Sequence, residues 1–417
     1  MDKIVIEPLS RLEGHGKVTI NIAEGEPDVK LHIVALRGFE QFVIGRPAEE
    51  VPRIVTRICG ICQTPHHLAA VKAIDMAWDA KIPETAKLLR ELMQLGNMIH
   101  SHALHFYFLA APDFVLGVDA DPTIRNVVGL IDKEPELAKQ AIALRRFGQK
   151  IVNYVGGKPI HPITGIPGGQ SKKLSEEERD ELLKEIDTII EYSKNAVEVV
   201  KSLLEKNKDM VNKLGVIDTW YLGLVNNGEH ESYDGILRFL SPDGKEKVEF
   251  EAKDYLDYIG EHTVPHSYVK YPYYKKAGYP DGIYRVGPLA MLNVCDTMGS
   301  DLAEEYRKEY LDTYGFPVKQ SLAYHHARMI EMVAAAEKVK KLLENDKIVS
   351  DDIKEDVEPK AGWGVGVVEA PRGILIHNYE TDENGIVVKG NMIVASTHNT
   401  PAMELAIKQA VKEIFKD

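Results

Sequence analysis

The sequence predicts an α+β fold in which a central bundle of long helices is flanked by mixed β structure. Two observations support this prediction. In the middle of the chain, apolar residues recur at helical spacing over long stretches, whereas both ends carry the alternating pattern of strands. The chain also has 417 residues, of which 44% are hydrophobic and 28% charged, enough for several structural units around a large core.

Five regions follow one another along the chain in this prediction. They are an N-terminal β region, a region with the cysteine motif and a helical bundle, a β-rich insertion, a continuation of the bundle, and a C-terminal β region with a final helix. Their predicted bounds are 1–50, 51–214, 215–285, 286–350 and 351–417.

The individual elements are predicted from local patterns. Near the start, Val18, Ile20 and Ile22 alternate with polar residues, which is typical of a strand. One helix is predicted from Pro65 to about Trp78. Pro83 opens a second helix, which continues to Leu109 with both faces apolar, so it belongs at the centre of the protein.

Later elements follow from the same reasoning. Ser175 and Glu178 form a capping box before a long amphipathic helix. Another long helix is predicted from about Lys319 to Asn345. Strands around 365–378 and 386–396 and a helix from Pro401 to Phe415 complete the chain. The Gly/Pro-rich segment 156–169 lacks the Gly-Lys-Ser/Thr ending of a phosphate-binding loop.

Composition excludes several classes of function. The net charge of −13, from 51 basic and 64 acidic residues, argues against a nucleic-acid partner. Three cysteines do not make a disulfide framework, and no apolar run approaches the ~18–20 residues that cross a bilayer. The Met-Asp-Lys start leads directly into strand-like sequence, so we expect no signal peptide and a cytoplasmic location.

The most informative motif is Cys59-Gly60-Ile61-Cys62, followed by His66. A tight turn at Gly60 brings both sulfurs to one side, where they can reach one metal ion. Soft thiolates favour nickel, zinc, copper(I) or iron clusters. A structural zinc site would need a second ligand pair, but Cys295 stands alone. The alternatives for the pair are small core residues or a redox motif, so the motif by itself predicts half of a metal site.

Other candidate residues are weak when taken one at a time. Glu13, Glu40 and Arg372 each lie near a glycine, where charged residues commonly face solvent, and Asp113 follows the apolar helix. His102 and His105 share one helix face and could bind a metal. In so apolar a helix, hydrogen-bonded core histidines are the preferred interpretation. Only the combination of these residues with the cysteine motif is specific enough to indicate a function.

Seven motifs follow one another through nearly the whole chain. They are Arg-Leu-Glu-Gly-His, Arg-Gly-Phe-Glu, Arg-Ile-Cys-Gly-Ile-Cys, Ser-His-Ala-Leu-His-Phe-Tyr, Gly-Gly-Lys-Pro-Ile-His-Pro, Glu-Ala-Pro-Arg-Gly and Val-Ala-Ser-Thr-His-Asn. Taken together, these motifs resemble the catalytic large subunit of nickel–iron hydrogenases, most closely the cytoplasmic, methyl-viologen-reducing (factor-420-non-reducing) type of methanogenic archaea.

The resemblance implies a centre of nickel and of iron with carbon monoxide and cyanide ligands. Cys59 would be a terminal thiolate on nickel, and Cys62 would bridge nickel and iron. Arg372 would assist proton removal, and it would hold the cyanides together with Ser396. Glu13 would begin the proton exit path.

Further roles are implied around these ligands. Glu40 would bind magnesium together with the backbone carbonyl of Met392. Asp113 would lie beside Arg372, and His66 and Pro371 would lie next to the metal ligands.

One departure from the family pattern is large. Family members end with Asp-Pro-Cys-x-x-Cys-x-x-His, which supplies two more thiolates and the last magnesium ligand, and this sequence lacks it. The selenium-type variant of the family carries that motif on a separate, very small subunit, sometimes with selenocysteine. We therefore expect such a partner here. The alternatives are a motif cleaved off or lost, the last giving a non-catalytic scaffold or a quinone-site subunit of the same fold.

The resemblance also implies partners for electron transfer. Electrons leave hydrogenases through iron–sulfur clusters, and this chain has too few cysteines to hold a four-cysteine cluster beside its active site. An iron–sulfur small subunit is therefore expected. Beyond it, we expect heterodisulfide reductase, reached through an electron-transfer subunit.

Overall fold

The first strands form a three-stranded antiparallel sheet. The computed structural model describes residues 2–22 and 26–415. The strands are β1 (Asp2–Ile6), β2 (Gly16–Ile22) and β3 (Asp28–Ile33), in that order across the sheet. Val18 and Ile20 of β2 are buried and belong to one apolar cluster with Val411 of the last helix. The strand predicted from their alternation is confirmed.

Helices dominate the next part of the chain, interrupted by a short hairpin of two strands. They are α1 (Phe39–Phe42), α2 (Val51–Ile54), α3 (Gln63–Ala77), α4 (Glu84–Ala103), α5 (Ala111–Leu116), α6 (Val127–Lys133), α7 (Pro135–Gly156), then β4 (Gly165–Ile166) and β5 (Gly169–Gln170), then α8 (Glu176–Lys206) and α9 (Lys208–Lys213). The helices predicted from Pro65 and Pro83 are confirmed as α3 and α4, and α3 already begins at Gln63.

The capping box predicted for α8 is also confirmed. The Ser175 hydroxyl accepts a hydrogen bond from the Glu178 amide at 3.1 Å, and the Glu178 carboxylate accepts one from the Ser175 amide at 3.1 Å. Two amides at the start of the helix that lack partners within it are thereby satisfied.

The apolar helix predicted to run to Leu109 changes character at Leu104. Residues Leu104–Ala110 form a π-helix between α4 and α5. A π-helix has wider turns than an α-helix, and such insertions are frequent at functional sites. His105 lies on this widened segment and lines the large cavity described below.

A β-rich region follows the first helices. Its elements are β6 (Trp220–Asn226), β7 (Glu229–His230), β8 (Ile236–Leu240), β9 (Lys247–Phe250), α10 (Tyr255–Tyr258), β10 (Ile259–His262), β11 (Tyr271–Tyr274) and β12 (Tyr284–Arg285). Strands β12, β6, β8 and β9 lie side by side, with β12 parallel to β6. Phe239 and Tyr284 share an apolar cluster with Val367 and Ile374 from the end of the chain. This region therefore shares its core with the C-terminal strands.

The bundle continues with three helices. They are α11 (Pro288–Val294), α12 (Asp301–Tyr314) and α13 (Tyr324–Leu343). Helix α13 packs against both α4 and α8 in the largest apolar cluster of the protein. It begins at Tyr324 and not at the predicted Lys319, because the Ser321 amide and hydroxyl both bond to the Gly215 carbonyl outside the helix.

The chain closes with a three-stranded sheet and a helix. Strands β13 (Gly362–Ala370), β14 (Gly373–Thr381) and β15 (Val387–Ile393) are antiparallel in that order, and α14 covers Ala395–Ile414. The predictions that strand structure extends to Ser396 and that Pro401 opens the helix are wrong. Pro401 lies inside α14 and is buried. A proline needs no amide partner at the first helical position, so in the sequence Pro401 has the pattern of a helix start.

Strand β13 packs on α3 through a seam of glycine and alanine. A Cβ atom added at Gly362, Gly364 or Gly366 would lie 1.9–2.0 Å from the carbonyl oxygens of Ala77, Ala73 and Ala69, respectively. Only glycine permits such an approach of strand to helix. The seam holds α3, whose first turn follows Cys62, directly on the C-terminal sheet.

Within residues 2–22 and 26–415, no helix combines the length and the hydropathy needed to cross a bilayer.

Candidate metal centre

The two cysteines lie on a turn between a short helical segment and α3. A 3₁₀ turn ends at Ile58, Cys59 has an extended backbone, and Cys62 is the residue that caps α3. The amides of Ile61 and Cys62 point at the Cys59 sulfur, with N···Sγ distances of 3.4 and 3.2 Å. Backbone amides and a helix N-terminus both favour a thiolate at this position.

The two thiols interact with each other. A hydrogen bond from Cys62 lowers the pKa of Cys59, whereas the same hydrogen bond and burial raise the pKa of Cys62 well above its usual range. Cys59 therefore loses its proton first. Among the described residues, no cluster of three or more His, Cys, Asp or Glu side chains is placed to hold a metal ion. The described part of the chain thus brings two soft donor atoms together, and a metal site built on them would need further ligands.

Glu13 lies directly against the cysteine turn. Its Oε2 accepts a hydrogen bond from the Cys59 thiol at 3.0 Å, and its Oε1 accepts one from the Gly60 amide at 3.3 Å. The Glu13 side chain is exposed, so its carboxylate connects the half-buried Cys59 sulfur with solvent. A carboxylate at this distance can take and release a proton.

Arg372 follows strand β13 and is half-buried. Its Nη1 donates to the Ser101 hydroxyl at 2.8 Å. Among the described residues no carboxylate forms an ion pair with Arg372, so its positive charge is available to an anion in the cavity. Ser396 lies exposed in the first turn of α14. Pro371 is buried, and its carbonyl accepts a hydrogen bond from Arg328 at 3.1 Å.

Glu40 and Met392 meet although they are far apart in sequence. The Glu40 Oε1 accepts hydrogen bonds from the Met392 amide at 2.7 Å and from the Asn391 side chain at 3.2 Å. Glu40 lies on α1 and Met392 on β15. Both hydrogen bonds use the same carboxylate oxygen, which leaves the other one for a ligand. Carboxylate and carbonyl oxygens are the ligands of hard cations such as magnesium.

The resemblance implies that Asp113 lies beside Arg372, and the ion pairs of Asp113 are with two other arginines. Asp113 forms an ion pair with Arg11 at 2.5 Å and a longer one with Arg125 at 3.4 Å. Among the described residues, no hydrogen bond joins Asp113 to Arg372. Both residues nevertheless line the same cavity. The pair with Arg11 ties the loop that carries Glu13 to helix α5.

Histidines occupy three kinds of position around the site. His102 is fully buried, and its Nε2 lies 3.0 Å from Glu331, as the interpretation of a core histidine predicts. His105 lines the cavity, and its ring lies 5.7 Å from that of His325. His66 is fully buried, and its Nδ1 lies 3.0 Å from Nε2 of His377. Burial lowers the pKa of His66 to about 3, so its ring is neutral.

One cavity of about 1500 Å³ joins most of these groups. It is larger than the roughly 300–1,000 Å³ of ordinary small-molecule sites. Of the residues that the sequence predicts, it is lined by Glu13, Glu40, Cys59, Cys62, Asp113, Arg372, Met392 and Ser396, but not by His66 or Pro371.

Besides Arg372, four arginines lie in the cavity wall that the sequence does not predict as site residues, one of them Arg285. Arg11 holds Asp113, Arg37 donates to the Ile58 carbonyl before Cys59, and Arg328 donates to the Pro371 carbonyl. Arg11 and Arg37 belong to the Arg-Leu-Glu-Gly-His and Arg-Gly-Phe-Glu motifs, so these motifs contained the signal. No sequence signal marks Arg328 as a site residue, because it lies within an ordinary helical pattern.

A family model described as nickel-dependent hydrogenase matches residues 37–125 and 229–413, and a model described as HoxL-like matches residues 3–36. The chain is 74% identical to the A subunit of the F420-non-reducing hydrogenase vhu of Methanocaldococcus jannaschii, over 100% of both chains. It is 68% identical to the corresponding vhu protein of Methanococcus voltae, also over 100% of both. The corresponding vhc protein of Methanococcus voltae is 45% identical, and the match covers 100% of this chain and 89% of the relative.

Solved structures give the same picture. The structure of an NAD⁺-reducing [NiFe]-hydrogenase in the H₂-reduced state superimposes with a TM-score of 0.95 at 41% identity, covering 99% of this chain and 93% of the other. An Ni-Fe-Se hydrogenase from D. vulgaris Hildenborough superimposes with a TM-score of 0.81 over 99% and 98% of the two chains. At 24% identity, this second likeness shows the fold alone.

Proposed function

This chain belongs to the nickel-dependent hydrogenase family as a large subunit, and we propose that Cys59 and Cys62 hold the nickel–iron centre at which it converts H₂ reversibly to protons and electrons. One observation carries the proposal. Both thiols face a cavity that also receives the Glu13 carboxylate and the Arg372 guanidinium, so soft ligands, a base and a cation meet at one place.

The donor set fits this metal pair. Thiolates suit nickel and iron, and two backbone amides already point at the Cys59 sulfur. In the proposal Cys59 would hold nickel, and Cys62 would be shared between nickel and an iron with carbon monoxide and cyanide ligands. When bound, the metal pair supplies the Lewis acidity for splitting H₂ heterolytically.

Glu13 moves the proton in this proposal. The Cys59 sulfur and the Glu13 Oε2 lie 3.0 Å apart, within the range for direct proton transfer. The carboxylate is exposed, so it can pass the proton on to solvent. The Gly60 amide fixes the second oxygen and keeps the carboxylate turned towards the sulfur.

Arg372 and Ser396 hold anionic ligands. Ser101 fixes one nitrogen of the Arg372 guanidinium, and the remaining N–H groups lack a carboxylate partner among the described residues. Free guanidinium N–H groups and the exposed Ser396 hydroxyl are suitable donors for the cyanides. Arg372 is also placed to assist proton removal. Asp113 lines the same cavity as Arg372 and Ser396, and its ion pair with Arg11 holds it there.

Glu40 and the Met392 carbonyl bind magnesium in the proposal. The contact between the Glu40 side chain and the Met392 amide brings β15 and α1 together at the cavity edge. Such a site is incomplete with two oxygen ligands, since magnesium prefers octahedral geometry. Further ligands come from water and from a partner.

A short peptide completes the centre. The cavity is too large for a small molecule alone, and exposed apolar side chains line part of it, including Leu12, Leu36 and Met403. In the proposal, the peptide carries Asp-Pro-Cys/selenocysteine-x-x-Cys-x-x-His and packs beside Cys59 and Cys62. Its histidine approaches magnesium together with Glu40.

Electrons leave through a partner. The relatives are each named as one lettered subunit of a hydrogenase, which implies further subunits. An iron–sulfur small subunit fits the scarcity of cysteine in this chain. Heterodisulfide reductase, the electron-transfer subunit that leads to it, and the cytoplasmic location stay predictions from the resemblance.

Metal analysis and infrared spectroscopy of the native complex test the proposal. We expect nickel and iron, together with absorption bands of metal-bound carbon monoxide and cyanide, and a short cysteine- or selenocysteine-containing polypeptide that co-purifies. A complex that lacks nickel and these bands would favour the non-catalytic scaffold or quinone-site alternative. A native structure in which side chains of this chain fill the cavity would refute the separate peptide.

A further inference from the structure

Three buried side chains form a hydrogen-bonded array behind the cysteine turn. His66 lies in the first turn of α3, and His377 and Tyr379 lie on one face of β14. The His66 Nδ1 lies 3.0 Å from the His377 Nε2, and the His377 Nδ1 lies 2.6 Å from the Tyr379 hydroxyl. All three side chains are completely buried.

The Tyr379 hydroxyl sets the direction of the hydrogen bonds. Among the described residues, its only hydrogen-bond partner is the His377 Nδ1. If the hydroxyl accepted from that nitrogen, its own hydrogen would be buried without an acceptor, which costs about 1–3 kcal/mol. The hydroxyl therefore donates to Nδ1. A neutral imidazole carries one proton, so His377 then donates from Nε2 to the His66 Nδ1.

This order leaves the proton of His66 on Nε2. That nitrogen is buried and has no hydrogen-bond partner among the described residues. Two of the residues near His66 line the cavity. The Cys62 carbonyl accepts a bond from the His66 amide at 3.4 Å, and burial, followed by the positive charge of Arg37, lowers the pKa of His66.

His67, the adjacent histidine, is the comparison for a ring with a purely structural role. The His67 Nδ1 lies 2.9 Å from the Pro52 carbonyl, and its Nε2 accepts from the Gly165 amide at 2.9 Å. Both nitrogens of His67 are therefore satisfied within the chain. His66, equally buried on the same turn, has one nitrogen satisfied and one open.

We propose that His377 and Tyr379 are positioning residues that fix His66 in one tautomer, with its Nε2–H donating to an anionic ligand of the metal centre, a thiolate or a cyanide. The inference rests on the proposed function. A hydrogen bond to such a ligand draws electron density from the metals, so the array adjusts their electronic state from a distance.

Infrared spectra of the holo complex test the inference. Tyr379→Phe removes only the hydroxyl, so we expect wild-type nickel and iron contents but shifted carbon monoxide and cyanide bands. His66→Leu should shift the bands further, and His66→Gln, which keeps a donor, should bring them back towards wild type. A shift of the cyanide bands alone indicates a cyanide acceptor, and a joint shift with the carbon monoxide band indicates a thiolate.

Two controls separate positioning from packing. Tyr310→Phe removes another buried hydroxyl, one without a partner among the described residues, and should leave the bands unchanged. In the double variant His66→Leu/Tyr379→Phe, the shift should equal that of His66→Leu alone, because Tyr379 acts through His66. His377→Gln repeats the test if Tyr379→Phe folds poorly.

The outcomes against the inference are distinct from those against the proposed function. Unshifted bands in Tyr379→Phe at full metal content, or shifts that add in the double variant, would overturn the inference. A wild-type complex without nickel and without the bands would overturn the proposed function itself.

Discussion

Helix α3 meets buried polar groups at both of its ends, and the two ends differ in how far these groups are satisfied. Near the end of the helix, Asp75 pairs with the buried Arg90 at 2.6 Å and accepts a bond from the Gly168 amide at 2.9 Å. Arg90 also donates to the carbonyls of Ile166 and Gly169 at 2.9 and 2.8 Å, so that only its Nε lacks a partner among the described residues.

The first turn of α3 is different. The Gln63 Oε1, the Thr64 hydroxyl and the His66 Nε2 are all buried without a hydrogen-bond partner among the described residues. Native proteins satisfy most buried polar atoms, so each open group requires an explanation. The Asp75–Arg90 cluster thus stabilises the fold, whereas the open groups of the first turn are left for the metal centre and the peptide of the proposed function.

Loss of a thiol should have the largest effect. Cys59→Ser or Cys62→Ser is expected to abolish nickel retention and H₂ uptake, because hydroxyls are poor ligands for soft metals. Nickel content and uptake activity of the purified complex provide the measurement. Cys295→Ser is the matched control, since Cys295 is buried beside Met298 away from the cavity and should keep both. Full activity in either of the first two variants would refute the metal assignment.

Glu13→Gln should keep the metals and slow turnover by roughly 10²–10⁴-fold, the usual contribution of a general acid or base. Glutamine can hydrogen-bond in the same place, with its oxygen towards the Gly60 amide and its NH2 group towards the Cys59 sulfur, but an amide cannot take up and release a proton at neutral pH. Hydrogen–deuterium exchange with the medium measures the effect, and Glu7→Gln, an exposed carboxylate of the same loop, is the control. An exchange rate equal to that of the wild type would place the proton path elsewhere.

Arg90→Met should lower the free energy of unfolding by about 3–5 kcal/mol, because it leaves Asp75 buried without its counter-ion. Denaturant unfolding of the complex measures this loss. The exposed ion pair of Lys139 with Glu136 offers a contrast, and Lys139→Ala should change stability by less than about 1 kcal/mol. Equal effects of both substitutions would contradict the role assigned to the Asp75–Arg90 cluster.

The smallest expected effect is the dependence of the free energy of unfolding on pH. Burial lowers the pKa of His66 to about 3 and the pKa of His67 and His326 to about 4. The unfolded chain therefore binds these protons first as the pH falls below about 6.5. The contribution of these neutral histidines to the free energy of unfolding is fully present above that pH and declines towards pH 4. Unfolding midpoints at pH 7 and pH 5 will measure the decline.

A variant sharpens the pH test. Neither nitrogen of His326 has a partner among the described residues, so His326→Leu removes a titrating group without breaking a hydrogen bond. The variant should lose less stability between pH 7 and pH 5 than the wild type does. An identical loss would mean that His326 does not contribute to the pH dependence.

Much of the fold could be predicted because the signals are local. The spacing of leucines in α4 and the Ser175–Glu178 capping box depend on neighbouring residues, and both are confirmed. The π-helix after Ala103 was missed, since its sequence continues the apolar pattern of α4 without a change of composition. The start of α14 was misplaced because a proline that is buried inside a helix looks, in the sequence, like a proline that opens one.

The candidate site was predictable only in part. Cys59 and Cys62 share one motif, and the family resemblance added Glu13, Glu40 and Arg372, all of which line the cavity. The pairing of Arg11 with Asp113 and of His66 with His377 joins residues more than a hundred positions apart. No local pattern specifies such contacts, because the packing of whole elements creates them.

The glycine–alanine seam between β13 and α3 has a consequence for transplantation. Since a Cβ at Gly366 would lie 1.9 Å from the Ala69 carbonyl, the depth at which α3 rests on the sheet is set by the strand and not by the helix. The cysteine turn is therefore no portable module. A designer who grafts residues 59–77 onto another scaffold without β13 will carry over both thiols but lose the alignment between the helix and the sheet.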